Sequence, residues 1–159
     1  MKGVGPAKAV QLAAAFGLGQ RLAFETIAAR PMERPEAVYE LLGAEMRTLE
    51  RESLRVVLLD TKLHLLRVEE ISLGSLNETT AHPREILRPA VVYAAFAFVL
   101  VHNHPSGDPT PSDADRRMTR KLIEAANLLQ IRMNDHIIIG APQPGKRPYF
   151  SFAEAGMME

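Results

Sequence analysis

The stretch Val101–Asp115 constrains this chain most, because an apolar strand leads directly into a group of side chains that can bind a metal. Phe96–Val101 is a short apolar run rich in aromatic and β-branched residues, which predicts a buried strand. If the strand continues to His104, then His102 and His104 project from the same face, because strand side chains alternate. Proline and glycine follow and end the strand in a turn.

A helix is predicted directly after this turn. Ser112 is a favoured N-cap residue, and Asp115 follows three positions later in a pattern close to a capping box. The spacing predicts an apolar face made of Met118, Leu122, Ala126 and Leu129. Asp115 points with this face, and a buried carboxylate must be paired or must bind a cation, because burying a lone charge is costly.

Two imidazoles and a carboxylate suit zinc, with water as the fourth ligand. Each residue also has a simpler interpretation. Asp115 can be a helix-cap residue only, and a single histidine at a strand end is commonly just a polar terminus. Two histidines at i and i+2 with an inward-facing Asp eleven residues later favour the metal site over those separate explanations.

These residues resemble the metal motif of the JAMM/MPN+ metalloproteases, which is His-x-His, seven residues, Ser, two residues, Asp. Here the motif reads His102-x-His104, Pro105–Pro111, Ser112 and Asp115. The fuller string HNHPSGDPTPSDAD is similar to the RadC-like branch, which has Asn where the eukaryotic deubiquitinases of the superfamily often carry Ser or Thr. The resemblance extends through LLDTKLHLL, SLNETTAHPREIL and DHIIIG to YFSF.

The resemblance implies an MPN fold, similar in outline to the cytidine deaminase fold, and zinc-dependent hydrolysis of a peptide or isopeptide bond. It implies that His102, His104 and Asp115 hold the zinc. It also implies a glutamate before the first core strand as general base, and Glu52 matches that position. In the family pattern Ser112 hydrogen-bonds the oxygen of the tetrahedral intermediate.

Other polar residues remain candidates for lesser roles. The further glutamates that could act as the base are Glu50, Glu69, Glu70, Glu78 and Glu85. Asn103 faces away from its neighbours in a regular strand, and we expect it to support the site from behind. His136 could line the site, but the favoured interpretation is a core histidine at a strand end. His64 and His82 are predicted to be structural.

Composition excludes several classes of protein. The chain has no cysteine, which excludes a disulfide framework, a thiolate metal site and the zinc deaminases that use cysteine ligands. Its 159 residues, 47% of them hydrophobic, are typical of one main globular domain. No apolar run reaches the ~18 residues that span a membrane. The N-terminus lacks a signal-peptide pattern, so we predict a cytoplasmic protein without membrane contact.

The Pro-punctuated segment Arg30–Pro35 predicts a boundary between an N-terminal helical segment, residues 1–34, and a hydrolase domain, residues 35–159. Gly3-Val4-Gly5-Pro6 resembles the hairpin of a helix-hairpin-helix motif, whose backbone N–H groups can hold a DNA phosphate. The motif needs an earlier helix, so a turn and a helix start are the favoured interpretation. The apolar face of that helix is predicted to contain Ala9, Leu12, Ala13, Phe16 and Leu22, with Gly17-Leu18-Gly19 as a candidate break.

A DNA-associated repair protein, including a nuclease, is the alternative function, and a non-catalytic interaction module is a third. The chain as a whole has zero formal net charge and does not attract nucleic acid strongly. Residues 1–34 hold five basic and two acidic side chains, so weak, non-specific DNA binding is expected there if anywhere. The contiguous His-Asn-His does not indicate an HNH nuclease, whose named residues are spread over a longer unit. The complete ligand set counts against the interaction module.

The remaining pattern predicts an α/β protein with a mixed sheet flanked by helices. The predicted elements are a helix from Pro35 with Val38, Leu41, Leu42 and Met46 buried, a hairpin of Leu54–Leu59 and His64–Ser72 around Asp60–Lys62, a loop over Gly74–Thr80, a helix from His82 that Pro89 kinks or restarts, and strands at His136–Ile139 and Tyr149–Phe152.

Overall fold

The computed structural model describes residues 5–73 and 82–159. Its elements in chain order are α1 (Pro6–Ala28), α2 (Pro35–Met46), β1 (Ser53–Leu59), β2 (Leu65–Leu73), α3 (Pro83–Val92), β3 (Ala97–Asn103), α4 (Asp113–Leu128), β4 (Arg132–Ile139) and β5 (Tyr149–Ser151). The strands form one sheet in the order β2-β1-β3-β4-β5. β3 and β4 pair in parallel, while the other neighbours are antiparallel. The predicted α/β class with a mixed sheet and flanking helices is therefore confirmed.

The sheet separates two apolar cores, because side chains alternate along each strand. On one face Val99 and Val101 of β3 pack in the same core as α2. On the other face Phe98 and Leu100 pack in the same core as α3 and α4. Alternation continues to the end of β3, so His102 projects on the α3–α4 side. The same parity places His136 of β4 on that side, because Ile137 belongs to the α2 core.

The β1–β2 hairpin confirms the prediction from its turn residues. The Asp60 carboxylate accepts hydrogen bonds from the backbone N–H groups of Lys62 and His64. Leu63 takes the left-handed conformation that closes the turn, with φ of 61°. The predicted loop over Gly74–Thr80, and Glu78 within it, lie outside the described residues.

The helices confirm most of the predicted pattern and correct it at two points. The four predicted apolar residues of α2 are buried. α1 runs without interruption, so the predicted break at Gly17-Leu18-Gly19 is wrong; each glycine costs an exposed helix only about 1 kcal/mol. Pro89 lies inside the single helix α3, so of the two predicted outcomes the restart does not occur and the kink stays a prediction. Leu129 is the C-cap of α4 and is half exposed, so it does not belong to the buried face.

α1 differs from the other helices because none of its residues is buried. The large apolar side chains that it exposes are Val10, Leu12, Phe16, Leu18, Leu22 and Phe24. The boundary near residue 34 and weak DNA binding by residues 1–34 stay predictions. Across residues 5–73 and 82–159, no helix combines the length and the apolar character that crossing a membrane requires.

Candidate metal centre

The end of β3 and the first turn of α4 bring His102, His104 and Asp115 together. One ligand atom from each lies within 4.8 Å of the others. The two Nε2 atoms are 3.1 Å apart, and the Asp115 carboxylate lies 3.3 Å from His102 Nε2 and 3.6 Å from His104 Nε2. His102 is fully buried, while His104 keeps a partly exposed edge. The cluster could therefore hold a metal ion that remains accessible from one side.

Asp115 reaches this position through the capping box of α4. Its backbone N–H donates to Ser112 Oγ, and the Ser112 backbone N–H and hydroxyl both donate to Asp115 Oδ2, at 2.8 and 2.6 Å. These bonds fix the carboxylate, and Oδ1 is the oxygen that faces His102. Helix capping and membership of the cluster are therefore not alternatives for Asp115, because one carboxylate does both.

His104 is oriented by a backbone carbonyl group. Its Nδ1 lies 2.7 Å from the carbonyl oxygen of Asp108, which can only accept. Nδ1 therefore carries a proton, and Nε2 is the nitrogen that faces His102 and Asp115.

The charges in the cluster shift the pKa values of His104 and Asp115 in opposite directions. The hydrogen bond with Asp115 raises the pKa of His104, and the nearby Glu52 carboxylate adds to this effect. Burial opposes ionisation of Asp115, but the hydrogen bonds with His102 and His104 outweigh it and hold the pKa of that carboxyl well below its usual range. Asp115 is thus ionised at neutral pH, and a proton on His104 would compete with any metal ion that the cluster bound.

Glu52 lies just before β1, beside the exposed edge of the cluster. The antiparallel β1–β3 ladder ends at the pair Leu54–His102, and Glu52 precedes Leu54 by two residues. The Glu52 carboxylate contributes to the raised pKa of His104, so it lies near that imidazole.

Asn103 supports the segment that carries Glu52. The side chain is buried, and its Oδ1 accepts the Ser53 backbone N–H at 2.8 Å. Its Nδ2 donates to the Arg51 carbonyl oxygen at 3.2 Å. Because Arg51 and Ser53 flank Glu52, one amide group holds the backbone on both sides of it, which is the supporting role expected of Asn103.

The other candidate glutamates have different surroundings. Glu70 contacts Arg55 and the Ser53 hydroxyl. Glu69 pairs with Arg67, and Glu85 pairs with Arg84. Glu50 is exposed on the surface.

Comparison with known proteins decides the family. A family model described as the RadC-like JAB domain matches residues 32–157. The chain belongs to this family. Its relatives include UPF0758 proteins from Moorella thermoacetica, 49% identical over 87% of this chain and 61% of the relative, and Alkaliphilus metalliredigens, 45% identical over 99% and 66%. A third, from Trichlorobacter lovleyi, is 43% identical over 99% of this chain and 67% of the relative. The chain thus spans about two thirds or less of their length, and their names state no activity.

This RadC-like JAB domain holds a second layer of polar groups behind the cluster. His136 is fully buried, and its Nε2 lies 2.8 Å from His102 Nδ1. Its Nδ1 lies 2.7 Å from Thr119 Oγ1, and its ring stacks on Phe152 with centroids 4.6 Å apart. Burial lowers the pKa of His136 well below its usual value, so the ring is neutral.

The sequence places His136 in the core but does not indicate its contact with His102. Thr119 is not among the predicted residues, although one signal points to it. It follows Asp115 by four residues, which puts a polar side chain on the buried face of α4. His82 caps α3 by accepting the Arg84 N–H, and His64 lies at the β-hairpin, in line with their predicted structural roles.

Proposed function

We propose that this RadC-like JAB domain is a zinc-dependent hydrolase of the metallopeptidase type, which cleaves a peptide or isopeptide bond. The observation that carries the proposal is the convergence of two imidazole nitrogens and an ionised carboxylate at a partly open site with Glu52 at its edge. Two histidines and one carboxylate form a donor set that zinc accepts, and three protein ligands leave a place for water. Calcium and magnesium fit less well, because they prefer oxygen ligands alone.

In this mechanism His102, His104 and Asp115 would hold the zinc. When bound, zinc lowers the pKa of a water molecule and polarises the carbonyl group of the substrate. Glu52 accepts a proton from the attacking water at a carboxylate oxygen and returns it to the leaving amine. Asn103 holds the backbone on both sides of Glu52, which limits the movement of the segment that carries this carboxylate.

Ser112 is proposed to stabilise the oxygen that becomes negative in the tetrahedral intermediate. In the structure its single hydroxyl proton is donated to Asp115 Oδ2. To serve the substrate, the hydroxyl must turn away from Asp115, while the Ser112 backbone N–H continues to hold the carboxylate. Ser112 thus supports the site before the reaction and can donate to the substrate during it.

The experiment is a comparison of Glu52→Gln with Glu50→Gln, in which the control changes an exposed glutamate two residues away. The probes are a library of fluorogenic peptides that includes peptides joined through a lysine isopeptide bond. We expect zinc-dependent cleavage by the wild type and a loss of roughly 10²–10⁴-fold in kcat for Glu52→Gln, the usual contribution of a general base. Zinc content and thermal stability should stay unchanged in both variants.

Two results would contradict the proposal. The first is a zinc-loaded wild type that cleaves no member of the library. The second is a Glu52→Gln variant as active as Glu50→Gln, which would remove the proton transfer from Glu52.

A further inference from the structure

We propose that Thr119 and His136 are positioning residues that set the tautomer of His102, so that its Nε2 presents a lone pair to the metal. The inference rests on the metal site of the proposed function, and it concerns the groups behind the ligands. A histidine can bind a metal through Nε2 only if the proton of its neutral ring is on Nδ1. The structure contains a hydrogen-bonded chain that imposes this arrangement.

This series of hydrogen bonds starts at the carbonyl oxygen of Asp115, which can accept a proton but cannot donate one. Thr119 Oγ1 lies 2.7 Å from this oxygen, so the single hydroxyl proton of Thr119 points to it. Thr119 Oγ1 can then only accept from its other neighbour, His136 Nδ1, at 2.7 Å. The direction of the first bond therefore requires a proton on His136 Nδ1.

The proton on His136 Nδ1 in turn fixes the position of the proton on His102. Because His136 is fully buried, its ring carries one proton, and with that proton on Nδ1 the lone pair on Nε2 lies 2.8 Å from His102 Nδ1. His102 Nδ1 must donate to it, which leaves the lone pair of His102 on Nε2, 3.3 Å from Asp115 Oδ1. If every donor and acceptor were exchanged, the Thr119 hydroxyl would donate to His136 Nδ1. A lone pair of Thr119 Oγ1 would then face a lone pair of the Asp115 carbonyl oxygen.

Burial enforces these hydrogen-bond directions, because water cannot reach the three side chains and replace a partner. His102 and His136 have no exposed surface, and Thr119 is 1% exposed. Phe152 stacks on His136 and holds the plane of its ring. His104 obtains the same result more simply, since its Nδ1 donates to the Asp108 carbonyl oxygen near the surface. Both ligating imidazoles thus end with a lone pair on Nε2.

The chain of contacts begins and ends at Asp115. Its backbone carbonyl oxygen orients Thr119, and its carboxylate faces the nitrogen that this orientation leaves without a proton. When each of the two imidazoles carries only its Nδ1 proton and no metal is bound, a carboxylate oxygen and two imidazole nitrogens therefore converge with lone pairs. Only a shared proton or a cation relieves their repulsion.

The test is long-range ¹H–¹⁵N correlation spectroscopy of the histidine rings in the full chain, freed of metal with a chelator, at about pH 8, where an unperturbed imidazole is neutral. We expect His102 and His136 of the wild type to be single tautomers with the proton on Nδ1. This readout needs neither zinc nor a substrate, so it stands apart from the test of the proposed function. Either ring with its proton on Nε2 would overturn the inference.

A pair of variants then connects the tautomer to the metal. Thr119→Val keeps the shape of the side chain but cannot accept from His136, whereas Thr119→Ser keeps the hydroxyl. We expect Thr119→Val to give mixed tautomers at both rings and to weaken zinc binding about 10–100-fold, the usual effect of losing a partner behind a ligand. Thr119→Ser should restore both the single tautomers and the affinity.

A purely structural role for Thr119 predicts a different outcome. Thr119→Val would then lower thermal stability, while the His102 tautomer stayed single and zinc affinity stayed within about twofold of the wild type, far from the expected 10–100-fold loss. That result would overturn the inference. His136→Gln, whose side-chain oxygen can still accept from His102, should bind zinc more tightly than His136→Leu.

Discussion

Two buried aspartates of the domain, Asp115 and Asp135, have the same exposure of 6% but opposite surroundings. The Asp135 carboxylate accepts hydrogen bonds from the backbone N–H groups of His136 and Ala153 and from the Ser151 hydroxyl, at 2.7, 2.9 and 2.5 Å. Both oxygens of the Asp135 carboxylate therefore accept hydrogen bonds from N–H or O–H groups. Asp115 has such donors on Oδ2, from Ser112, while Oδ1 faces the Nε2 of His102.

The pKa values of the two groups follow this difference. Burial raises the pKa of Asp135 despite its hydrogen bonds. For Asp115 the bonds with the two imidazoles overcome burial, and the pKa falls. The comparison shows that burial alone does not identify a cation site. The deciding feature is whether the groups that face the carboxylate are fixed donors, as at Asp135, or nitrogens that can also bind a metal.

The largest expected effect is on metal affinity. Asp115→Asn keeps the size of the side chain and an oxygen for the capping box but removes the charged ligand, so zinc affinity should fall by more than the 10–100-fold typical of residues behind the ligands. Asp135→Asn should bind zinc within about threefold of the wild type, because Asp135 contacts no ligand directly. Calorimetric titration measures both. Equal losses in the two variants would break the comparison.

The second effect is on the free energy of unfolding, where we expect the change at Asp135 to cost more than the change at Asp115. Asp135→Ala leaves two backbone N–H groups and the Ser151 hydroxyl without their acceptor, and each such buried donor costs about 1–3 kcal/mol. We expect metal-free Asp115→Ala to lose less free energy of unfolding, about 1 kcal/mol for the cap, because Ser112, which donates to this carboxylate, is exposed and its groups can bond to water instead. Urea unfolding of the metal-free proteins compares them. A larger loss for Asp115→Ala would show that the carboxylate is mainly structural.

The smallest effect is the pH dependence of zinc binding. The hydrogen bond to Asp115 raises the pKa of His104, so metal-free protein holds a proton there to a higher pH than an ordinary histidine would. This proton must leave when zinc binds, so affinity is full above the raised pKa. Below it, affinity should fall about tenfold per pH unit. Titrations from about pH 5.5 to 8, the range in which histidines change charge, measure this slope. A flat profile would contradict the proton–metal competition.

Local patterns of sequence predicted much of this architecture. Alternation predicted that His102 and His104 share a face, and helix spacing placed Asp115 on the buried side of α4. Helix spacing failed at Leu129, because the helix ends there and the face no longer continues. The glycines of α1 did not break it, since their propensity cost is small.

The layer behind the cluster could not be predicted in the same way. Periodicity placed His136 in the core, but its contact with His102 depends on β4 lying beside β3, and the two residues are 34 positions apart. The proximity of Glu52 to His104 likewise depends on the pairing of β1 with β3, which local spacing does not specify. The family resemblance supplied the assignment of Glu52 as general base, which stays a prediction.

The central claim is that His102, His104 and Asp115 form a zinc site, and elemental analysis tests it most directly. The wild type, purified without added metal, is compared with a His102→Ala/His104→Ala variant whose fold is checked by circular dichroism. We predict about one zinc per wild-type chain, as expected for a site with three protein ligands and a water, and none in the variant. A wild type that holds no zinc even after titration, or a variant that retains one zinc per chain, would contradict the account.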